Sequence, residues 1–392
     1  MVFKRIILVV LDGVGVGALP DAGEYGDQDA ATLQHVAESV GGLSLPHLEA
    51  LGLGHIVPLK GVAKVVAPTG CWGKMAERSP GKDSVTGHWE LTGVVLDYPF
   101  SVFPQGFPEE IIATIRNATG VDPLGNIAAS GTDILGDLGE EHLRTGRPII
   151  YTSSDSVLQI AAHEDIITPE NLYSLCRKIK KVLFPYNICR VIARPFKGAG
   201  AADFYRTAGR RDFPRKPVEK TLLDLLQQQG IVTCGIGKIK DLFAGKGLTF
   251  SHKTTSNLEG MKQTLQVLNG MSQGLIMTNL VDFDMMYGHR LDAAGFATAL
   301  QQFDSWLPQL LQQIDSEDLL IITADHGCDP TTSGTDHSRE YVPLLGFSPA
   351  IAIPTELGTR DSFADVGATV ADNFRITLTH GKSFLSELNT QR

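Results

Sequence analysis

The chain has no apolar run approaching the roughly 20 residues of a membrane span, and its first apolar stretch, Ile6 to Leu11, stops at Asp12 rather than at a small-residue cleavage site. A membrane association is therefore not expected, and the expected location is the cytoplasm. Cysteine is scarce: Cys71, Cys176, Cys189, Cys234 and Cys328 are odd in number and widely scattered, which argues against a disulfide framework or a paired-cysteine metal site and fits reduced thiols. Cys328 lies two residues after His326, but beside hard carboxylates a packing role is expected of it. Positive charge is in short supply, 34 Lys and Arg against 44 Asp and Glu for a formal net charge of −10, so nucleic acid is not expected as the main partner. The chain also lacks internal repeats, low-complexity tracts and a Gly-x-Ser-x-Gly motif, which leaves an acyl-transfer triad without support.

What is present is enough chain, 392 residues, for more than one core. Proline and aromatic residues punctuate it twice, from Tyr98 to Pro104 and from Phe213 to Pro217. These are natural crossing points between domains. The expected organisation is a discontinuous α/β core, 1–98 and 217–392, with an inserted α/β cap, 99–216. Charge follows the same division: residues 100–217 carry 15 basic against 13 acidic side chains, the remainder 19 against 31. Residues 177–216 hold 12 basic side chains and only Asp203 and Asp212 as acids. That is either a solvated basic face or an anion-collecting one.

Within the core, short apolar runs alternate with helical patterns, the rhythm of a mostly parallel sheet sandwiched by helices. Such sheets collect ligands at the carboxyl ends of their strands. Asp12 ends the run Ile6–Leu11; Asp284 and His289 follow Leu275–Val281; Asp325 and His326 follow Leu319–Thr323, with His337 a dozen residues later. Singly, an Asp after a strand is more often a turn or cap residue and a His a satisfied polar group. Together, three acids and three imidazoles point to two metal ions, and mixed oxygen and nitrogen ligation suits Mn²⁺ or Zn²⁺.

A second constellation is Gly81-Lys82-Asp83-Ser84-Val85-Thr86-Gly87-His88-Trp89-Glu90. A small-residue turn before a helix start places Ser84 where free amides and the helix dipole favour phosphate. Beside metal ions its hydroxyl becomes a candidate nucleophile, with Thr86 as the alternative; without them it is an ordinary cap.

Taken together, these motifs, with Thr323-Ala324-Asp325-His326-Gly327, Gly334-Thr335-Asp336-His337-Ser338-Arg339-Glu340, Tyr151 to Ile160 and Arg190 to Phe196, resemble the alkaline phosphatase superfamily, and within it the bacterial metal-dependent phosphopentomutase family. The resemblance spans essentially the whole chain. It implies an alkaline-phosphatase-like core with a substrate-recognising cap; one metal on Asp12, Asp325, His326 and the nucleophile Ser84; another on Asp284, His289 and His337. It implies a sugar-phosphate site at Ser153, Asp155, Val157, Arg190, Ile192 and Lys238, with Arg206 a further candidate for a distal phosphate. The implied reaction interconverts α-D-ribose 1-phosphate and ribose 5-phosphate, and the deoxy analogues, through a phosphoenzyme and a bound 1,5-bisphosphate. Two Mn²⁺ are the implied cofactors, Zn²⁺ or another divalent metal being possible, and glucose 1,6-bisphosphate or a pentose bisphosphate the activator. Small sugar phosphates are the expected partners of a monomer or weak homo-oligomer. The family carries Thr at the nucleophile position; Ser keeps the hydroxyl and loses a methyl, so the lifetime of the phosphoenzyme is where this chain is expected to differ. The alternatives on the same core are a metal-dependent phosphatase and a cofactor-independent phosphoglycerate mutase. A noncatalytic metal-dependent sugar-phosphate binder is the alternative from another class.

Overall fold

Strand β1, Arg5–Leu11, is buried along its apolar length, as a strand covered on both faces must be. The computed structural model describes residues 2–153 and 156–390, and the chain folds as two units, 1–98 with 217–392, and 99–216. In the first unit, β1 is joined by β2 (Cys71–Met75) and then, after the second unit, by β9 (Thr233–Ile236), β10 (Phe250–His252), β11 (Gly274–Leu280), β12 (Asp318–Thr323), β13 (Val342–Phe347) and β14 (Glu356–Arg360). Their order is β10-β9-β11-β1-β12-β13-β2-β14. The five strands from β10 to β12 run parallel, β13 is antiparallel to both its neighbours, and β2 and β14 are again parallel. The fold is mixed α/β with a large, mostly parallel sheet.

The second unit carries β3 (Leu124–Ala128), β4 (Ile149–Thr152), β5 (Val157–His163), β6 (Arg190–Lys197), β7 (Tyr205–Arg206) and β8 (Arg211–Pro214). The order is β3-β4-β5-β6-β7, with β8 also on β6. Alternation along the strands builds two cores. Ile150, Leu158, Ile160 and Val191 pack with Ile111, Ile115, Leu172 and Ile179 from helices Glu109–Thr119 and Pro169–Val182. Ile149, Tyr151, Ala161 and Phe196 face the other way and pack with Ile134 and Leu135 of helix Asp133–Thr145. Among the described residues, no helix is long and apolar enough to cross a membrane, and all five cysteines are buried free thiols.

Candidate active site and metal centre

Register brings the acids together. Asp12 follows β1 directly, and β1 pairs in parallel with β11 and β12, Leu11 opposite Leu280 and Val10 opposite Thr323. Three adjacent strands thus end at one place, and the turns after them supply Asp12, Asp284 and Asp325, all buried. Gly13 permits the first turn: its φ is +80°, and a Cβ there would stand 2.9 Å from Cys328 Cβ and 3.4 Å from Asp284 Cβ.

The imidazoles close around these acids. His326 Nε2 is 3.3 Å from Asp12 Oδ1 and 3.4 Å from Asp325 Oδ2. His289 Nε2 and His337 Nε2 each lie 3.2 Å from Asp284 Oδ1. The ring of His337 is 4.0 Å from that of His326 and 4.7 Å from that of His289, centroid to centroid. His326 Nδ1 donates to the Gly327 carbonyl at 3.0 Å and His289 Nδ1 to the Thr335 carbonyl at 2.6 Å. Each backbone bond leaves Nε2 facing the acids, the arrangement usual behind a metal-bound histidine.

Two observations test whether these residues suit a metal. Asp284 Oδ1 and Asp325 Oδ2 are buried yet make no hydrogen bond among the described residues, although imidazole nitrogens surround them; an oxygen so placed needs a cation. The donor atoms also fall into tight groups, Asp12, Asp325 and His326 in one and Asp284, His326 and His337 in another, each within 4.8 Å. Oxygen and imidazole donors of this kind fit a divalent metal. A third group, Asp284, His289 and Cys328, places the Cys328 sulfur nearby, but burial and the charge of Asp284 push its thiol far above the ordinary range.

Burial opposes the charge of Asp12, but Lys238 and His326 outweigh it and hold the carboxyl below its usual range. Asp284 is likewise held low against burial, by His337 and Lys238. Lys238 Nζ bridges the two, 2.9 Å from Asp12 Oδ2 and 3.5 Å from Asp284 Oδ2, and these carboxylates keep it protonated despite burial. His326 is raised well above a free imidazole: burial disfavours its charge, but Asp325 and Asp12 draw a proton to it.

Ser84 is the first residue of helix Ser84–Leu91. Asp83 caps it, Oδ1 accepting from the amides of Val85 at 3.0 Å and Thr86 at 3.1 Å. Ser84 Oγ lies 3.1 Å from His326 Nε2 and 3.5 Å from Asp12 Oδ1. The Thr86 hydroxyl is buried and donates to Asp83 Oδ2 at 2.6 Å, which removes it from the acids. Gly87 sets the helix against the centre, since a Cβ there would collide with the Asp325 carbonyl. Further along, Glu90 accepts from the amides of Arg78, Ser79 and Phe363 and from the Ser362 hydroxyl, and the Trp89 indole donates to the Leu242 carbonyl. The rest of the motif is thus the helix's anchorage.

Sequence reasoning missed His88. One turn after Ser84, it is fully buried, donates from Nδ1 to the Ser84 carbonyl at 2.8 Å and stands 3.0 Å from Asp325 Oδ2. Its i,i+4 spacing from Ser84 was the available signal. It also missed Glu340, whose buried carboxylate accepts from the amides of Gly17 and Thr32, each at 2.9 Å, and from the hydroxyls of Thr32 at 2.6 Å and Ser338 at 2.7 Å. Thr32 Oγ1 in turn accepts from the Cys328 amide. One carboxylate thereby fastens the loops that carry Asp12, His326 and His337.

The expected sugar-phosphate residues divide between the units. Val157 and Arg190 begin β5 and β6 opposite each other, Ile192 lies two residues further along β6, and Ser153 follows β4. Arg190 is 3.8 Å from Asp212. Arg206 is exposed on β7. Lys238 belongs to the first unit, beside Asp12. Asp155 lies outside the described residues.

A curated relative from Syntrophotalea carbinolica, named phosphopentomutase, is 57% identical over 386 residues, 98% of either chain. This chain belongs to the phosphopentomutase family. A phosphopentomutase of Carboxydothermus hydrogenoformans is 52% identical, across 98% of this chain and 99% of its own. The model of the Metalloenzyme superfamily matches residues 4–378. The chain is therefore a metal-binding enzyme of the mutase kind, an isomerase. Its fold alone is shared with a phosphoglycerate mutase of Leishmania mexicana, at a TM-score of 0.51 and 13% identity over 97% of each chain.

Proposed function

We propose that the protein interconverts α-D-ribose 1-phosphate and D-ribose 5-phosphate, and the 2-deoxyribose analogues, through a phosphorylated Ser84 and a bound 1,5-bisphosphate. The observation that carries this reading is the Ser84 hydroxyl, set at a helix start within hydrogen-bond reach of His326 in a ring of buried acids and imidazoles, in a chain whose full-length relatives are phosphopentomutases.

Asp12, Asp325, His326 and Ser84 would hold one metal, Asp284, His289 and His337 another, with Mn²⁺ the proposed ion. When bound, the metals neutralise charge on the transferring phosphoryl group and favour the Ser84 alkoxide. The chain's own part is to aim and to hold. The Asp83 cap takes up the first-turn amides of Val85 and Thr86 and so fixes the helix start that presents Ser84. In the first half-reaction the Ser84 P–O bond breaks as one forms to the free sugar hydroxyl, whose proton, in net terms, replaces the phosphoryl group on Ser84 Oγ. The second half-reaction reverses this at the other end of the bisphosphate. Lys238, with Ser153, Asp155, Val157, Arg190 and Ile192, binds the sugar phosphate; Arg206 takes a distal phosphate, and a hexose or pentose bisphosphate primes the serine. The substrates are small sugar phosphates, and the enzyme works in the cytoplasm as a monomer or weak homo-oligomer.

Phosphopeptide mapping of the purified protein, joined to an assay with ribose 1-phosphate and Mn²⁺, tests the reading. Phosphate on Ser84 and formation of ribose 5-phosphate are expected. A phosphate on another residue, or release of inorganic phosphate alone, refutes it.

A further inference from the structure

Cys328 is a buried thiol set among the candidate metal ligands. Two glycines make room for it: a Cβ built on Gly13 would lie 2.9 Å from Cys328 Cβ, and one built on Gly288 would lie 2.4 Å from the Cys328 sulfur. Gly13 follows Asp12 and Gly288 precedes His289. The cysteine is therefore packed against the turns that carry both ligands. Its own hydrogen bond, to the Asp336 carbonyl at 3.9 Å, is weak.

The donor atoms of Asp284, His289 and Cys328 all lie within 4.8 Å of one another, close enough to share one ion. Two features point the group at a cation. Asp284 is buried, and its Oδ1 makes no hydrogen bond among the described residues although His289 Nε2 stands 3.2 Å away. His289 Nδ1 is spent on the Thr335 carbonyl, which leaves Nε2 on the side of Asp284. One oxygen, one imidazole nitrogen and one sulfur make three protein ligands, the number found where a metal keeps an open position.

Sulfur changes what the set selects. The other group that includes Asp284 takes its remaining donors from His326 and His337 and holds only oxygen and nitrogen. Such a group suits Mn²⁺, whereas thiolate favours a soft ion such as Zn²⁺ or Cd²⁺. Burial and the charge of Asp284 keep the sulfur protonated. A divalent cation offsets that charge, and the metal–sulfur bond forms as the thiol proton leaves to solvent.

We propose that Asp284, His289 and Cys328 form a site for a thiophilic divalent cation, with Cys328 setting the metal selectivity of the centre. The proposal rests on the reading of Asp284 and His289 as metal ligands and adds the sulfur, which that reading leaves out. An ion held here uses the same two ligands as the ion proposed for the mutase, so the two occupancies exclude each other. Mn²⁺ leaves Cys328 a packed thiol.

Absorption spectroscopy on the full-length protein titrated with Cd²⁺ tests this, because a cadmium–thiolate bond gives an ultraviolet charge-transfer band that oxygen and nitrogen ligands do not. The band is expected in the wild type and lost in both Cys328→Ser and Cys328→Ala, two substitutions that keep the site small, with circular dichroism checking the fold. Competition against Mn²⁺ supplies a second readout: the ratio of Cd²⁺ to Mn²⁺ affinity should fall about 10-fold or more in Cys328→Ser. Cd²⁺ bound without the band, a band that survives both substitutions, an unchanged affinity ratio, or a wild type that binds no Cd²⁺ overturns the site. If Mn²⁺ supports phosphorylation of Ser84 and formation of ribose 5-phosphate while Cd²⁺ gives no band, the thiol site falls and the mutase reading stands. If the band depends on Cys328 but Mn²⁺ supports no pentose phosphate conversion, the mutase reading falls and the thiol site stands.

Discussion

The two units handle charge in opposite ways. The core buries its carboxylates: Asp12 and Asp325 are wholly inaccessible, and Lys238 and His326 are built in beside Asp12. The inserted unit leaves its arginines at least partly in water, Arg190 with 32% of its side chain exposed, and gives several of them one acid, Asp212, to share. A buried acid without a cation costs far more than a hydrated arginine without an anion. The core must therefore be organised before any ligand arrives, whereas an arginine face left in water would gain most of its strength only from an anion that displaced that water.

The sharpest way to break this comparison is to remove the nucleophile from the organised side. Ser84→Ala should abolish phosphoenzyme formation and mutase turnover, with Ser84→Thr remaining a mutase; radiolabelled phosphate retained on the alanine variant would point to another hydroxyl. Asp284→Ala should empty or weaken one metal position and cost more than the roughly 100-fold typical of a residue behind the ligands, while circular dichroism stays near native. Chelation should mimic it and Mn²⁺ reverse it, and full activity in metal-free protein would sink the metal reading. Glu340→Ala asks how much of the organisation one residue holds. It strands four donors from three segments, three of them buried, so urea unfolding should show a loss of about 3 kcal/mol or more, and a change below about 1 kcal/mol would show that the segments hold without it.

On the arginine side the effects should be smaller and selective. Arg190→Ala should lower activity on pentose phosphate about 10- to 150-fold and spare hydrolysis of a small generic ester. A parallel fall in both would refute its place in specificity. The smallest effect concerns the inserted unit's own stability. His142 donates from Nδ1 to the Arg147 carbonyl and accepts the His163 amide on Nε2, so a second ring proton breaks a bond, and burial holds its pKa below the ordinary value of 6.5. A depressed imidazole contributes stability that is present above about pH 6.5 and lost as pH falls towards the folded-state value. Unfolding followed between pH 7.5 and 5.5 should show a loss of less than about 1 kcal/mol that His142→Gln diminishes; an unaltered slope would absolve His142.

The sequence by itself determined that acids end three apolar runs, because strands buried on both faces must be continuously apolar and must stop at polar residues. It also determined that Ser84 begins a helix, because Asp83 and the glycines around it punctuate the chain there. The parallel α/β architecture followed from the same patterns. Only the tertiary structure decided that β11, β1 and β12 lie side by side in register, so that Asp284, Asp12 and Asp325 meet; strand order is a long-range choice that local periodicity does not encode. It set the Thr86 hydroxyl on Asp83 and the Ser84 hydroxyl beside His326 and Asp12, since the neighbour a hydroxyl bonds is fixed by packing. It brought in His88 and Glu340, whose roles rest on partners up to 323 residues away. And it set the Tyr151 hydroxyl, which makes no hydrogen bond among the described residues, near arginines from β6 and β7, a juxtaposition made by sheet pairing and invisible in the order of the residues.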